Sequence, residues 1–257
     1  MTQLKTAIIT GASSGIGEAA ARRFAKGGWN LVLTARRKEK LESLKTQLER
    51  DFRQKTLVLQ QDVRQGISGH LLMKFLRENS IKPDLLVNNA GLAVGTSPIH
   101  QGIIDDWERM IDTNLKGLLY VSRAISTLMV EQGFGHIINI GSIAGKEAYP
   151  GGNVYCATKD AIDGLTKAMR IDLLPHGIRV GQVAPGAAET EFSLVRFKGD
   201  QAKADKVYDG FKPLSPADIA DALWYMANVP PHVNINDMLI MPTAQASSVH
   251  FNRKTNS

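Results

Sequence analysis

Thr10-Gly11-Ala12-Ser13-Ser14-Gly15-Ile16-Gly17 follows a short β-rich run, Thr6–Thr10, and leads directly into an amphipathic stretch, Ile16–Lys26. Glycines let a backbone turn sharply and approach a pyrophosphate closely, and a helix N-terminus behind them offers free N–H donors with partial positive charge. The spacing is Gly-x-x-x-Gly-x-Gly, not the commoner Gly-x-Gly-x-x-Gly. Its place after the first strand predicts a nucleotide-binding strand–loop–helix unit. Gly11, Ser13, Ser14, Gly15, Ile16 and Gly17 are the candidate phosphate contacts.

The same alternation runs outward along the chain. Strand-like runs are expected at Thr6–Thr10, Asn30–Ala35, Thr56–Gln60, Asp84–Asn88, His136–Ile140, Ile178–Ala184 and near Met238–Met241. Helical patterns lie between them at Ile16–Lys26, Lys38–Arg53, Gly69–Glu78, Ile111–Glu131, Val154–Leu173 and Pro216–Ala227, several ending in Gly or Pro. Short, near-continuous apolar strands separated by helices predict a parallel sheet covered on both faces. The expected fold is α/β, a doubly wound parallel seven-stranded sheet of the Rossmann type. No repeat or linker divides the chain, so one domain over residues 1–257 is expected.

Composition narrows the class. The 257 residues are 43% hydrophobic and 22% charged, which argues against disorder and fibrous repeats. No apolar run reaches the roughly 18 residues of a membrane span, and Met1–Lys5 is too short for a signal peptide before structure begins. The single cysteine, Cys156, excludes a disulfide framework and a cysteine zinc site, and no metal is expected. These features predict a cytoplasmic protein without a membrane partner. The net charge of +6 is concentrated between Arg22 and Lys55, where eleven basic residues face four acidic ones. They alternate with apolar and acidic residues at helical spacing, as on a solvated helix face, with a few left for a local anion site. No nucleic-acid partner is expected.

Where the second strand ends, a fold of this type holding NAD carries an acidic residue for the ribose 2′-hydroxyl. Here the chain reads Thr34-Ala35-Arg36-Arg37. Guanidinium groups suit a phosphate because their planar fork bonds two oxygens at once. Arg36 and Arg37 therefore point to NADP as cofactor.

Further on come Asn88-Asn89-Ala90-Gly91, then Asn114, Ser142 and Tyr155-x-x-x-Lys159. Tyr155 and Lys159 lie one helical turn apart and share a face. A nearby ammonium is expected to lower the phenol's pKa from about 10, so that Tyr155 exchanges a proton during carbonyl–alcohol interconversion. Ser142 is placed to hydrogen-bond the substrate oxygen. In this order the motifs resemble the short-chain dehydrogenase/reductase family, and the match runs over essentially the whole chain.

The resemblance implies further roles. Lys159 would also bind the nicotinamide ribose, and Asn114 would help hold a water linking Lys159 to solvent. Asp62 and Val63 would contact adenine, while Asn89, Ala90 and Gly91 line the adenine-ribose side. Pro185, Gly186 and Thr190 would close on the nicotinamide carboxamide, opening a substrate lid around 187–212. Pairing through Ile111–Glu131 and Val154–Leu173 would give a homotetramer. Cys156 reads as a packing residue.

Less generic segments narrow the branch: Asn88–Gly95, Asp106-Trp107-Glu108, Met110–Asn114, Gly151–Tyr155, Thr190–Asp200 and His232–Asn236. Together they resemble the NADP-dependent 3-hydroxy acid dehydrogenases, which act on serine, allo-threonine and the 3-hydroxypropionate/malonic semialdehyde pair. Ala184, Ala187 and Ala188 depart from that pattern beside the Pro-Gly pair. The alternative is a broad-range NADPH-dependent carbonyl or 3-oxoacyl reductase. A binding protein that senses NADP(H) without chemistry would be free to lose Tyr155, which this chain keeps. A small-molecule carboxylate held away from water needs a cation, and Lys159 is already engaged. Arg196, in the lid, is the candidate for substrate binding, beside Ser142 and Tyr155. The other expectation for Arg196 is pairing with Glu191 or Asp200 to order the lid.

Overall fold

The computed structural model describes residues 4–254. Residues 1–3 and 255–257, which the expected domain span and the N-terminal reading include, lie outside the described residues. Seven strands form one parallel sheet: β1 (Thr6–Thr10), β2 (Asn30–Ala35), β3 (Thr56–Gln60), β4 (Leu85–Asn88), β5 (Gly135–Ile140), β6 (Ile178–Pro185) and β7 (Asp237–Ile240). Their order is β3-β2-β1-β4-β5-β6-β7, so the chain reverses direction across the sheet between β1 and β4. A crevice at that reversal, beyond the carboxyl ends of the strands, is where such sheets bind ligands.

Strand residues alternate between two cores because successive side chains point to opposite faces. Ile9, Leu31, Leu33, Val87 and Ile138 face one layer, which holds α1 (Gly15–Lys26), α2 (Lys38–Phe52) and α9 (Pro216–Asn228). Ile8, Val32, Leu86 and Ile137 face the other, against α3 (Ser68–Glu78), α5 (Gly117–Gln132) and α6 (Asn153–Leu173). Burial on both faces explains why the strands read as apolar runs.

One predicted helix is corrected. The stretch expected as Ile111–Glu131 is preceded by α4 (Ile104–Met110), passes through a π-helical turn, Ile111–Lys116, and only then becomes α5. The widened turn carries Asn114, and such bulges recur at functional sites.

His136 is the polar exception in the sheet. It is 2% exposed on β5, and neither ring nitrogen has a partner among the described residues. Burial, helped by the charge of Arg179, pushes its pKa from 6.5 down to about 3. The folded chain thus keeps His136 neutral, while the unfolded chain takes up a proton below about pH 6.5. Stability is unaffected above that pH and falls below it, by up to about 1.4 kcal/mol per pH unit. Between pH 7 and pH 5, His136→Leu is expected to lose about 1–2 kcal/mol less stability in urea unfolding than the wild type. Equal losses would contradict this account of His136.

Candidate active site

A cleft of about 620 Å³ runs along the carboxyl edge of the sheet. Its cofactor half begins at the glycine loop. Gly11 and Gly15 adopt left-handed φ of 65° and 56°. A Cβ on Gly11 would sit 2.9 Å from the Cα of Ala90, so the loop and the segment after β4 approach as only glycine allows. Thr10 Oγ1 accepts from the N–H groups of Asn89 and Ala90 at 3.0 Å each, and Asn89 Nδ2 donates to Thr10 O at 2.9 Å. Ser14 precedes α1 without a side-chain cap, which leaves the first N–H groups of the helix turned to the cleft.

Gly11, Ser13, Ser14, Gly15, Ile16, Arg36, Arg37, Asp62, Val63, Asn89, Ala90, Gly91, Pro185, Gly186 and Thr190 all line this cleft. Gly17 sits behind the loop, where a Cβ would meet Gly11 O and Asn89 Nδ2 at 2.5 Å, so close packing requires glycine there. Arg37 donates to Ser13 Oγ at 3.1 Å and Ser14 Oγ at 2.6 Å, while Arg36 stands exposed beside it. Asp62 is held by Arg64 at 2.5 Å, and that hydrogen bond keeps its carboxyl below the ordinary range. A glycine cradle, an open helix end and an arginine pair fit a dinucleotide with a 2′-phosphate.

Ser142, Tyr155, Lys159 and Arg196 line the other half. Ser142 leaves β5 and caps the short 3-10 turn Ile143–Gly145, accepting from Ala144 N at 3.1 Å. Its hydroxyl donates only weakly, to Pro185 O at 3.4 Å. Tyr155 and Lys159 emerge from α6 nearly buried. Lys159 Nζ donates to Ile140 O at 2.9 Å and lies 5.9 Å from the centre of the Tyr155 ring.

The expected fall in the phenol's pKa is not met. Burial pushes the Tyr155 phenol well above its ordinary value, and hydrogen bonding with Ser142 offsets only part of that rise. Burial also pulls Lys159 down to about 8. Desolvation penalises both charged forms here, and it outweighs the mutual attraction that spacing alone suggests.

Asn114 lies behind the cleft wall, where its Oδ1 and Lys159 Nζ both approach Gly91. It is 1% exposed, its Oδ1 accepts from Leu92 N at 2.8 Å, and its Nδ2 donates to Leu92 O and Thr158 Oγ1 at 2.8 and 3.1 Å. In this chain it clamps the Leu92 backbone to the π-helical turn.

The expected lid is more ordered than a flexible loop. It carries α7 (Glu191–Arg196), capped by Thr190, and α8 (Gln201–Lys206), capped by Asp200. Arg196 pairs with neither expected acid: Glu191 bonds Arg37 and Lys40, and Asp200 bonds Lys203. The Arg196 guanidinium instead lies 5.6 Å from the Tyr155 ring centre and 5.2 Å from that of Tyr149, whose hydroxyl it bonds. Its Nε is buried without a partner among the described residues.

Three features were not anticipated. Tyr149 joins the cleft from the loop before α6. Ser248, Phe251 and Arg253 close it from the C-terminal segment, with Arg253 Nη2 donating to Val207 O at 3.1 Å and stacking 5.0 Å from Phe211. The buried carboxylate of Asp163 joins α6 to the turn after Ser142 by accepting from Lys146 at 2.5 Å, and from Lys167 at 2.6 Å.

Comparison with known proteins fits this geometry. The profile described as short chain dehydrogenase matches residues 5–200. This chain belongs to the short-chain dehydrogenase family. Among the family, the NADP-dependent 3-hydroxy acid dehydrogenase of Salmonella typhi is 46% identical over 240 residues, which cover 93% of this chain and 95% of that one. Sulfoacetaldehyde reductase 2 of Chromohalobacter salexigens is 47% identical over 242 residues, covering 94% and 95%. The closed form of a serine dehydrogenase complexed with NADP+ superposes with a TM-score of 0.90 at 43% identity, covering 97% of this chain and all of that one. This short-chain dehydrogenase is an NADP-dependent oxidoreductase acting on hydroxyl groups. Among its described residues, no helix is long and apolar enough to cross a membrane.

Proposed function

We propose that this enzyme interconverts short 3-hydroxy acids and 3-oxo acids, of the serine, allo-threonine and 3-hydroxypropionate/malonic semialdehyde type, using NADP(H). The observation that carries the reading is Arg196. A guanidinium with an unpartnered Nε stands over the ring of Tyr155 in the cleft that Ser142 and Lys159 also line, a free cationic donor beside the proton-exchanging residue. The similarity to a sulfoacetaldehyde reductase supports the same reading, because a sulfonate and a carboxylate pose the same charge problem.

Held in the cleft by the glycine loop, NADP(H) would supply the hydride chemistry of the interconversion. Ser142 Oγ exchanges its weak bond to Pro185 for one to the substrate oxygen. Tyr155, kept protonated by burial, donates its proton to that oxygen in reduction and takes one back in oxidation. Lys159 supplies the positive charge that makes the phenolate tolerable. Arg36 and Arg37 would hold the 2′-phosphate. The reading takes the chain as one NADP-binding domain with residues 187–212 as its lid, and as a cytoplasmic homotetramer paired through α5 and α6.

The test is a panel of NADPH-dependent reductions. Malonic semialdehyde and sulfoacetaldehyde are expected to exceed butanal, an uncharged aldehyde of similar size, by at least about tenfold in kcat/KM. Preference for butanal or for a 3-oxoacyl thioester would favour the broad-range carbonyl or 3-oxoacyl reductase instead.

A further inference from the structure

Glu191 begins the lid, yet its carboxylate sits in the cofactor half of the cleft. One oxygen accepts from Arg37 Nη1 at 2.9 Å and the other from Lys40 Nζ at 3.0 Å. Arg37 also grips Ser13 and Ser14, so the lid is tied through a single guanidinium to the glycine loop. The cations are arranged for an anion from outside. Arg37 is the N-cap of α2 and makes no cap bond, and Lys38 and Lys40 crowd the first turn. Positive side chains are unfavourable at the positive end of a helix, so that end and its cations together call for negative charge. Within the chain, Glu39 of the first turn supplies part of it and Glu191 the part that reaches Arg37 and Lys40, a pairing that holds the Glu191 carboxyl down to about 2 despite some burial.

This arrangement is easily exchanged. The Arg37, Lys40 and Glu191 side chains are 42%, 50% and 46% exposed, and ion pairs that open to water are weak. A phosphate brings close to two negative charges and three acceptor oxygens to the same cations, against one charge from the carboxylate. A nucleotide without that phosphate has nothing to displace Glu191.

We propose that Glu191 is a specificity-determining residue whose carboxylate occupies the cations meant for the cofactor's 2′-phosphate, so that only a phosphorylated cofactor detaches the start of the lid. NAD(H) would leave the Glu191 pairs in place and the lid tied down. NADP(H) would take over Arg37 and Lys40, and free α7 to rearrange around a substrate. The inference rests on the reading of Arg37 as a 2′-phosphate ligand.

Two fragments of the cofactor separate the possibilities: 2′,5′-ADP, which has the phosphate, and 5′-AMP, which lacks it. Binding is measured by calorimetry, and hydrogen exchange is followed over Glu191–Arg196, on the full chain as wild type, Glu191→Gln and Arg37→Ala. In the wild type, 2′,5′-ADP is expected to raise exchange in α7 and 5′-AMP to leave it unchanged. Glu191→Gln is expected to show the raised exchange without ligand, and to bind 2′,5′-ADP about 3–10-fold more tightly with 5′-AMP unaffected. The proposal is overturned if Glu191→Gln binds 2′,5′-ADP no better than the wild type, or if 2′,5′-ADP protects α7 in the wild type. Failure of the underlying reading looks different: the wild type would then bind the two nucleotides alike, and Arg37→Ala would lose no affinity for 2′,5′-ADP.

Discussion

Tyr155→Phe is expected to lower kcat by about 10²–10⁴-fold while leaving NADP(H) binding within a few-fold of the wild type. The substitution keeps the ring, and with it the packing against Phe192 at 5.5 Å and beneath Arg196. Ser142 loses its bond with the phenol but keeps those to Ala144 and Pro185, and Lys159 keeps the Ile140 carbonyl. Only the hydroxyl disappears, and with it the proton that the account passes to the substrate oxygen. Single-turnover measurement with saturating NADPH isolates this step from cofactor binding. Turnover within tenfold of the wild type would mean that another group donates the proton.

Lys159→Met is expected to reduce kcat by about 10²–10³-fold and also to weaken NADP(H) binding by about tenfold, because one ammonium serves both tasks. Methionine fills most of the space, so the variant tests charge more than packing. It does leave the Ile140 carbonyl without its donor, at about 1–3 kcal/mol of stability. The wild type carries a related signature. In reduction, proton donation by Tyr155 leaves a phenolate that the ammonium must stabilise, so kcat/KM should fall as Lys159 loses its proton through about pH 8. Lys159→Met should lack that limb. A limb retained in the variant would assign it to another group.

The parts of the molecule written in local pattern were legible from the sequence. All seven strands fall within a residue or two of their expected places, because each is a short apolar run; the inner ones are buried on both faces, and the edge strands β3 and β7 only in part. The Gly11–Gly17 loop was legible for a different reason, since its left-handed backbone at Gly11 and Gly15 admits few other residues. Gly17 adds a constraint the motif does not reveal, the close packing of the loop against Asn89.

What escaped was non-local. The periodicity of Ile111–Glu131 is continuous, so nothing marked the π-helical turn that Asn114 stabilises through Leu92, twenty-two residues away. Arg196 meets Tyr149 across forty-seven residues, and the C-terminal segment reaches the cleft only once the sheet is complete. The direction of the Tyr155 shift depends on burial, which no spacing between tyrosine and lysine reveals. The charges of Glu191 and Arg37 were visible, but their meeting required the lid to cross from one half of the cleft to the other.

The central claim is that Arg196 holds the substrate's anionic group over Tyr155. It is tested most directly by the ratio of kcat/KM for malonic semialdehyde to that for butanal, measured at saturating NADPH in the wild type and in Arg196→Ala. A hydrogen bond to a charged group is worth about 1.5–3 kcal/mol, so the ratio should fall about 10–100-fold in the variant, almost entirely through the charged substrate. A variant that slows both substrates equally would contradict the claim and leave Arg196 as a residue that merely orders the lid.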